Sequence, residues 1–328
     1  MNLSSGLDGL RSLAPGAVLS IGNFDGIHLG HRRLLAMGRS LRDQHPGARL
    51  AVATFEPHPF TVLRPGKVPP RLTPLAIKRE LLAEQGVDDL IELAPEPAIL
   101  DLSAESFWEI LRDQVRPSHL IEGNDFNFGK ARAGNIQRLR EWAAASNVTL
   151  HVAEDVEAPL LDLHVVPVSS TLIRWLLARG RVRDAAICLG RAYTLVGPVI
   201  KGHQRGRALG VPTANLDCHQ QLIPADGVYA ARCAIDGAMW PAALSIGTLP
   251  TFGDSLRQVE AHLIGFNGDL YGRTISIEII DWVREQWKFS NIEALKARMS
   301  QDIGLSAEPA DPCGWLIRKH PALEDESA

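Results

Sequence analysis

The segment AVLSIGNFDGIHLGHRRLLAMGRSLRDQHPGARLAVATF, residues 17–55, indicates the fold of the first half of the chain. AVLSIGNF (17–24) predicts a buried strand, because its residues are apolar or small almost to the end. HLGHRRLLAMGRSLRDQ (28–44) predicts a helix, and LAVATF (50–55) predicts a second strand. Strands that alternate with helices in this way form a parallel sheet covered on both faces.

The same alternation continues to about residue 190. The predicted elements are a helix over 74–86, a strand over 88–93, a helix over 103–115 capped by Ser103, a strand over 118–123, a helix over 136–145 and a strand over 148–154. The first half therefore predicts an α/β domain.

The second half has a different pattern, typical of an antiparallel sheet or small barrel. Asp236-Gly237 and Asn267-Gly268 are hairpin dipeptides, and each is flanked by β-rich segments that predict a strand pair. A helix over 290–303, begun by a capping box of Ser290 and Glu293, closes this half. We expect domains at 1–186 and 187–304, followed by a flexible tail at 305–328.

Length and charge limit the classes of protein to consider. The chain has 328 residues, enough for two domains, and its 34 Lys+Arg against 38 Asp+Glu give a net charge of -4, which argues against a broad nucleic-acid surface. No apolar run approaches the roughly 20 residues of a membrane helix, and the N-terminus does not resemble a signal peptide. None of the 4 cysteines lies in a C-x-x-C pair. We expect a cytoplasmic protein that binds neither nucleic acid nor membrane.

A candidate anion site follows the first predicted strand. Gly22, Asn23, Phe24, Asp25 and Gly26 connect that strand to a helix that begins near His28. The carboxyl end of a parallel strand and the N–H groups of a helix start both suit phosphate. His28 and His31 share a face of the first turn and can donate hydrogen bonds to a triphosphate. A pair of surface histidines or a metal site are the alternatives.

Four segments in this half together resemble one family. GNFDGIHLGH (22–31), ATFEPHP (53–59), EGNDFNFGKARAGN (122–135) and VSSTLIR (168–174) are similar, in this order, to elements of the prokaryotic bifunctional riboflavin kinase/FAD synthetases. The first segment alone marks only the nucleotidyltransferase superfamily. The resemblance implies a Rossmann-like nucleotidyltransferase domain that transfers AMP from ATP to FMN.

The resemblance also implies roles for residues of that domain. His28 and His31 are expected to be catalytic at the ATP phosphates. The expected nucleotide-binding set is Gly22, Asn23, Phe24, Asp25, Gly26, His28, His31, Asn124, Asp125, Ser169, Ser170, Thr171 and Arg174. Plain helix capping is the alternative for Ser169 and Ser170, and an Asx turn is the alternative for Asn124 and Asp125.

The second half resembles the riboflavin kinase module of the same family. GPVIKGHQRGRALGVPTANL (197–216), IPADGVYAARC (223–233), SIGTLPTFG (245–253), VEAHLIGFNGDLYG (259–272) and WVREQWKF (282–289) carry the resemblance. It implies an antiparallel β-barrel closed by a helix, with Glu260 as the catalytic carboxylate. The implied ATP- and flavin-binding residues are Gly202, Gly206, Arg207, Gly210, Pro212, Thr213, Asn215, Glu260, Tyr271 and Arg284.

Thr213 and Asn215 are the expected Mg²⁺ ligands, because both offer hard oxygen donors and lie two residues apart on one face of an extended segment. Turn and cap chemistry is their alternative role, and a solvent-facing strand glutamate is the alternative for Glu260. The sequence departs from the family wording at several positions, which concern substrate affinity more than reaction type; these are Asn135, Val168, Ser245, Gly265 and Asn267.

The expected function is therefore two reactions on small molecules: MgATP phosphorylates riboflavin to FMN, and ATP then adenylylates FMN to FAD with release of pyrophosphate. We expect a monomer or weak homo-oligomer. One alternative is a riboflavin kinase whose first domain has lost adenylyl transfer. The other is a flavin-binding regulator without catalytic activity, although a positioned Glu260 would have no purpose in such a protein.

Overall fold

The computed structural model describes residues 1–201, 212–218, 220–248, 257–287 and 292–307. These residues form two compact units. The first contains Met1–Trp175, Asp184–Arg191 and Gln220–Leu222, and the second contains Leu176–Arg183 together with the described residues of Ala192–His219 and from Ile223 onward. The predicted domain boundary between residues 186 and 187 stays a prediction. Within the described part of the chain, no helix combines the length and the apolar character needed to cross a membrane.

The first unit is built on a parallel sheet of six strands. The strands up to residue 167 are β1 (Asn2–Ser5), β2 (Val18–Gly22), β3 (Leu50–Phe55), β4 (Asp89–Leu93), β5 (His119–Gly123), β6 (Asn127–Phe128), β7 (Gly134–Asn135), β8 (Thr149–Ala153), β9 (Glu157–Pro159) and β10 (Val165–Pro167). The sheet has the order β1-β4-β3-β2-β5-β8, while β6/β7 and β9/β10 form separate antiparallel pairs. The strand order reverses at β2, and ligands of such sheets bind outside the carboxyl ends of the strands at that point.

Helices lie between these strands and after the last of them. They are α1 (Gly6–Arg11), α2 (Leu29–Gln44), α3 (Phe60–Leu63), α4 (Leu75–Glu84), α5 (Pro97–Leu100), α6 (Ala104–Glu109), α7 (Ile136–Ala144), α8 (Ser170–Leu177) and α9 (Val182–Leu189). The expected cap is confirmed, since Ser103 Oγ accepts a hydrogen bond from Ser106 N at 3.0 Å. After α6 the chain continues as a π-helical turn over Ile110–Val115.

Two hydrophobic cores cover the two faces of the sheet. Leu19 and Ile21 of β2 belong to one core, whereas Val18 of the same strand belongs to the other. Alternate residues of a strand point to opposite faces, so a continuous apolar run serves both cores. The α/β fold predicted from the segment 17–55 is confirmed.

The second unit is a closed barrel of six strands. They are β11 (Tyr193–Ile200), β12 (Ala214–Leu216), β13 (Gly227–Ile235), β14 (Ala238–Gly247), β15 (Gln258–Leu263) and β16 (Thr274–Arg284). The order around the barrel is β11-β12-β15-β14-β13-β16, and the pairs are antiparallel. The predicted antiparallel barrel is confirmed.

One of the two predicted hairpins is correct and the other is wrong. β13 and β14 pair directly through Asp236 and Gly237, whose φ angles of 51° and 79° suit a tight two-residue turn. The strands on either side of Asn267-Gly268 do not pair with each other. Instead β15 pairs with β12 and β14, and β16 pairs with β11 and β13, because closing the barrel gives each strand two other neighbours.

The closing helix, α10, runs over Ile292–Ala307 and is therefore longer at its end than the predicted 290–303. Ser306 Oγ donates to the carbonyl of Asp302 at 2.8 Å, one turn earlier, so the start of the predicted tail at 305 is helical. Ser290 of the predicted capping box lies outside the described residues, as do residues 308–328.

Candidate active sites

The loop between β2 and α2 has an unusual backbone. Phe24, Gly26 and Ile27 have positive φ angles of 44°, 87° and 42°. This region is unfavourable for residues other than glycine, above all for a β-branched one such as Ile27. Strain of this kind persists where surrounding contacts hold the chain, and it concentrates at functional sites.

Asp25 anchors this loop. Its buried carboxylate accepts hydrogen bonds from the N–H groups of Leu72 and Thr73 at 3.0 Å and forms an ion pair with Arg174. Ser170 Oγ donates to the main-chain carbonyl of Asp25 at 2.8 Å. The structure thus brings together three predicted site residues, Asp25, Ser170 and Arg174.

His28 and His31 stack on each other at the start of α2, with ring centroids 3.7 Å apart. His28 is the N-cap of α2, and its Nδ1 accepts a hydrogen bond from His31 N at 3.4 Å. Burial, with the positive charges of Arg174 and Arg191, lowers the pKa of His28 from 6.5 to about 4. Burial lowers the pKa of His31 well below its ordinary value, helped by His28 and Lys78. Both rings are therefore neutral near pH 7, and each donates through a single N–H.

The remaining predicted residues of this half have simpler surroundings. Ser169 Oγ accepts a hydrogen bond from Leu172 N at 3.1 Å, which is a helix-capping contact. Thr171 is exposed at the start of α8. Asn124 and Asp125 are exposed in the turn that follows β5, the neighbour of β2.

A cleft of about 370 Å³ opens beside the loop. It is lined by Asn23, Asp25, Phe55, Glu56, Pro57, His58, Thr61, Val68, Pro69, Pro70, Arg71, Lys78 and Gln220. Of the predicted set, Asn23 and Asp25 belong to this lining, while the other members, including His28, His31 and Arg174, do not.

The sequence analysis missed Lys78, Glu56 and Arg71 of this cleft. Lys78 Nζ is buried and lies 3.2 Å from the carbonyl of Asn23 and 3.5 Å from Glu56 Oε2. Burial lowers the pKa of Lys78, and the charge of Glu56 opposes that shift. Glu56 also forms an ion pair with Arg71. The available signal in the sequence was a lysine at helical spacing from Leu81 and Leu82, because a lysine on such an apolar face is rarely buried without a partner.

The charges in the cleft and of Arg174 beside it favour anions. Arg174 pairs with Asp25, whereas Glu56 is shared by two cations, Arg71 and Lys78. These five groups carry three positive and two negative charges. A site with surplus positive charge near a helix start suits a phosphate-bearing ligand.

In the barrel, Asn215, Glu260 and Ser245 form a row across three strands. Asn215 of β12 is directly opposite Glu260 of β15, which is opposite Ser245 of β14. Directly opposed residues project to the same face of a sheet. Val259 and Ala261 are buried in the barrel core, so Glu260 between them lies on the opposite, outer face of the strand.

The segment of Pro212 and Thr213 lies beside this row. His262 Nδ1 donates to the carbonyl of Pro212 at 2.8 Å, which holds the start of β12 against β15. Gly202, Gly206, Arg207 and Gly210 lie outside the described residues.

The donor set fits Mg²⁺. Asn215 supplies a neutral oxygen directly opposite Glu260, and Thr213, two residues earlier, supplies a second one. Mg²⁺ commonly binds to few protein oxygens together with substrate phosphates and water. Among the described residues, no cluster of three His, Cys, Asp or Glu side chains could hold a metal by itself.

Two predicted kinase residues are less closely tied to this row. Arg284, predicted to bind ligand, forms a buried ion pair with Asp302 of α10, with its Nη2 2.6 Å from Oδ2. This contact joins β16 to α10. Tyr271 is 40% exposed, and its main-chain N–H donates to Asp269 Oδ1 at 3.0 Å.

Comparisons with known proteins agree with both halves. The family model described as FAD synthetase matches residues 11–171, and the one described as Riboflavin kinase matches residues 189–308. The fold and these two matches thus define a two-domain protein of flavin-nucleotide synthesis.

Curated relatives identify the family. The bifunctional riboflavin kinase/FMN adenylyltransferase of Pseudomonas fluorescens is 37% identical to this chain, and the match covers 95% of this chain and 99% of the relative. The enzyme of the same name from Escherichia coli K12 is 34% identical, and that match covers 92% of this chain and 96% of the relative. The Bacillus subtilis relative is 31% identical, with 87% and 90% covered. The chain belongs to the bifunctional riboflavin kinase/FMN adenylyltransferase family, which confirms the resemblance stated from the motifs.

A solved structure shares the fold. A crystal structure described as a macrolide-efflux protein from Streptococcus pneumoniae matches with a TM-score of 0.83 and 25% identity, covering 94% of this chain and 100% of that one.

Proposed function

We propose that this chain converts riboflavin to FAD in two ATP-dependent steps, one at each site. The observation that carries the proposal is the coverage of one chain by both family models, together with full-length relatives named for both activities. The barrel phosphorylates riboflavin to FMN. The α/β domain, expected at 1–186, then joins AMP to FMN.

In the kinase step, Glu260 is the general base. Its carboxylate takes the proton of the ribityl 5′-hydroxyl as that oxygen attacks the γ-phosphorus of ATP, and ADP leaves. The direct opposition of Glu260 and Asn215 on one barrel face supports this role. Thr213 and Asn215 would hold Mg²⁺, which neutralises phosphate charge when bound.

In the adenylyl-transfer step, a phosphate oxygen of FMN attacks the α-phosphorus of ATP, and pyrophosphate leaves. Such a transfer depends on positioning and charge stabilisation rather than on a covalent intermediate. Lys78 and Arg174 supply positive charge. His28 and His31 supply neutral N–H donors, as their lowered pKa values suggest.

We also propose the cofactor, the substrates, the location and the oligomeric state of the enzyme. ATP acts with Mg²⁺ in both steps, and riboflavin, FMN and ATP are the small-molecule partners. We place the protein in the cytoplasm, as a monomer or weak homo-oligomer without nucleic-acid partners.

A time course with riboflavin, ATP and Mg²⁺, analysed by liquid chromatography, tests the function. We expect FMN to form first and then FAD with pyrophosphate. FMN without FAD would support the kinase-only alternative. Flavin binding without any ATP consumption would support the regulator and refute the proposal.

Two variants separate the sites. Glu260→Gln should remove FMN formation, by a factor of about 10² to 10⁴, while FAD synthesis from supplied FMN continues. Glu278→Gln is the matched control, because Glu278 is also a barrel-strand glutamate but pairs with Arg232 away from the row. Loss of both activities in a folded Glu260→Gln protein would contradict two independent sites.

A further inference from the structure

Arg191 binds the loop between β2 and α2 through two successive carbonyl groups. Its Nη2 donates to the carbonyl of Gly26 at 2.8 Å, and its Nη1 lies 3.4 Å from the carbonyl of Ile27. Arg191 follows α9 and belongs to the first unit. It lies beyond the FAD synthetase match at 11–171 and within the riboflavin kinase match at 189–308.

These two contacts determine where the neighbouring N–H groups point. In a trans peptide the C=O and the following N–H are antiparallel. A Gly26 carbonyl held by Arg191 therefore directs the N–H of Ile27 away from Arg191, and the Ile27 carbonyl does the same for His28. The latter N–H is at the N-cap of α2, where the unpaired donors of a helix start lie.

The loop needs such contacts to keep its shape. Gly26 and Ile27 both have positive φ, and isoleucine is strained in this conformation. A guanidinium suits the task, because its planar fork binds two acceptors at once, whereas an ammonium acts as a point charge.

We propose that Arg191 is a positioning residue for adenylyl transfer, holding the backbone of residues 26–28 in the conformation that receives the phosphates of ATP. The proposal rests on the function proposed above for the first unit. It means that the adenylyl-transfer site depends on a residue in the stretch of sequence that the riboflavin kinase model matches.

The experiment measures both activities of the full-length chain in Arg191→Ala, with and without methylguanidinium. We expect kcat/KM for FAD synthesis from FMN and ATP to fall about 10-fold to 100-fold, the range for loss of a charged hydrogen-bonding group. Riboflavin phosphorylation should remain within twofold of the unchanged protein. Methylguanidinium should restore part of FAD synthesis, since it can occupy the space left by the side chain.

Arg39→Ala is the matched control. Arg39 also donates to a main-chain carbonyl of the first unit, that of Gln85 at 2.6 Å, but it lies outside the cleft lining and the loop. This variant should leave both activities within twofold. Arg191→Lys keeps the charge without the fork, so we expect a several-fold loss of FAD synthesis with an unchanged thermal midpoint.

The outcomes distinguish failure of the positioning role of Arg191 from failure of the proposed function. FAD synthesis within twofold of normal in both Arg191→Ala and Arg191→Lys would overturn the positioning role. If Arg191→Ala does not fold, the Arg191→Lys result decides. Absence of FAD synthesis in the unchanged protein would instead refute the proposed function.

Discussion

Acidification from pH 7 to pH 5 should destabilise the first unit through His28. Its pKa is about 4 in the folded protein because the ring is buried beside Arg174 and Arg191, against an ordinary value of 6.5 in the unfolded chain. Between these values the unfolded state binds more protons than the folded state. Stability therefore falls as the pH falls through this window, and is fully present above about pH 6.5.

The size of the effect follows from the same values. Each pH unit below 6.5 costs about 1.36 kcal/mol while the folded ring stays neutral, so at pH 5 the loss is about 2 kcal/mol. His28→Asn removes the titrating ring and keeps the helix cap, because asparagine is among the preferred N-cap residues. The variant should lose about 2 kcal/mol less than the unchanged protein between pH 7 and pH 5.

Two measurements check this expectation. NMR of ¹³C-labelled histidine follows the His28 ring directly, with its signal assigned by its absence in His28→Asn. Scanning calorimetry of both proteins at pH 7 and pH 5 measures how much stability each loses on acidification. A His28 pKa of 6 or above, or an equal loss of stability in both proteins, would refute the assignment of a buried, neutral ring.

Three further outcomes are expected. Lys78→Met should lower FAD synthesis from FMN about 10-fold to 100-fold and leave FMN formation unchanged in the same chromatographic assay, because it removes a cation of the cleft; equal loss of both activities would contradict this. Asp302→Asn should destabilise the barrel by about 3 kcal/mol in urea unfolding, since it leaves Arg284 buried without its carboxylate, while Arg284→Met combined with Asp302→Leu should recover most of the loss. Asn215→Leu should raise the Mg²⁺ concentration needed for half-maximal FMN formation, and an unchanged requirement would exclude Asn215 as a ligand.

The order of helices and strands was predictable because local periodicity carries it. Strand β1 was missed because it is short and lies at the sheet edge, where its residues are mostly exposed and have no apolar run. The pairing of strands was less predictable. A turn dipeptide was decisive at Asp236-Gly237, where adjacent strands pair, but misleading at Asn267-Gly268, where barrel closure separates them.

Site residues divide in a similar way. The motifs at 22–31 and 168–174 indicated that His28, Asp25 and Arg174 belong to a nucleotide site. They did not show which groups these side chains contact in the fold. Arg284 illustrates the limit: an arginine near the start of the motif at 282–289 pairs with Asp302, whose position opposite it depends on how α10 packs on the barrel. Arg191 was missed because its contacts are to main-chain carbonyls, which leave no pattern in the sequence, and Lys78 was missed because its partner Glu56 lies on a different element 22 residues away.

The two carboxylates of the cleft, Asp25 and Glu56, hold the neighbouring cations in position although their negative charge opposes anion binding. Asp25 and Glu56 would reduce the attraction of the proposed site for phosphate, but they also fix Arg174, Arg71 and Lys78 in place before any ligand arrives. Cations held in this way lose little side-chain freedom when a ligand binds. Preorganised charge of this kind is also the main form of transition-state stabilisation in adenylyl transfer. Asp25 also accepts hydrogen bonds from the N–H groups of Leu72 and Thr73, so one carboxylate fixes both Arg174 and the segment that precedes α4. A weaker net field with fixed geometry therefore suits catalysis better than a stronger field from mobile side chains.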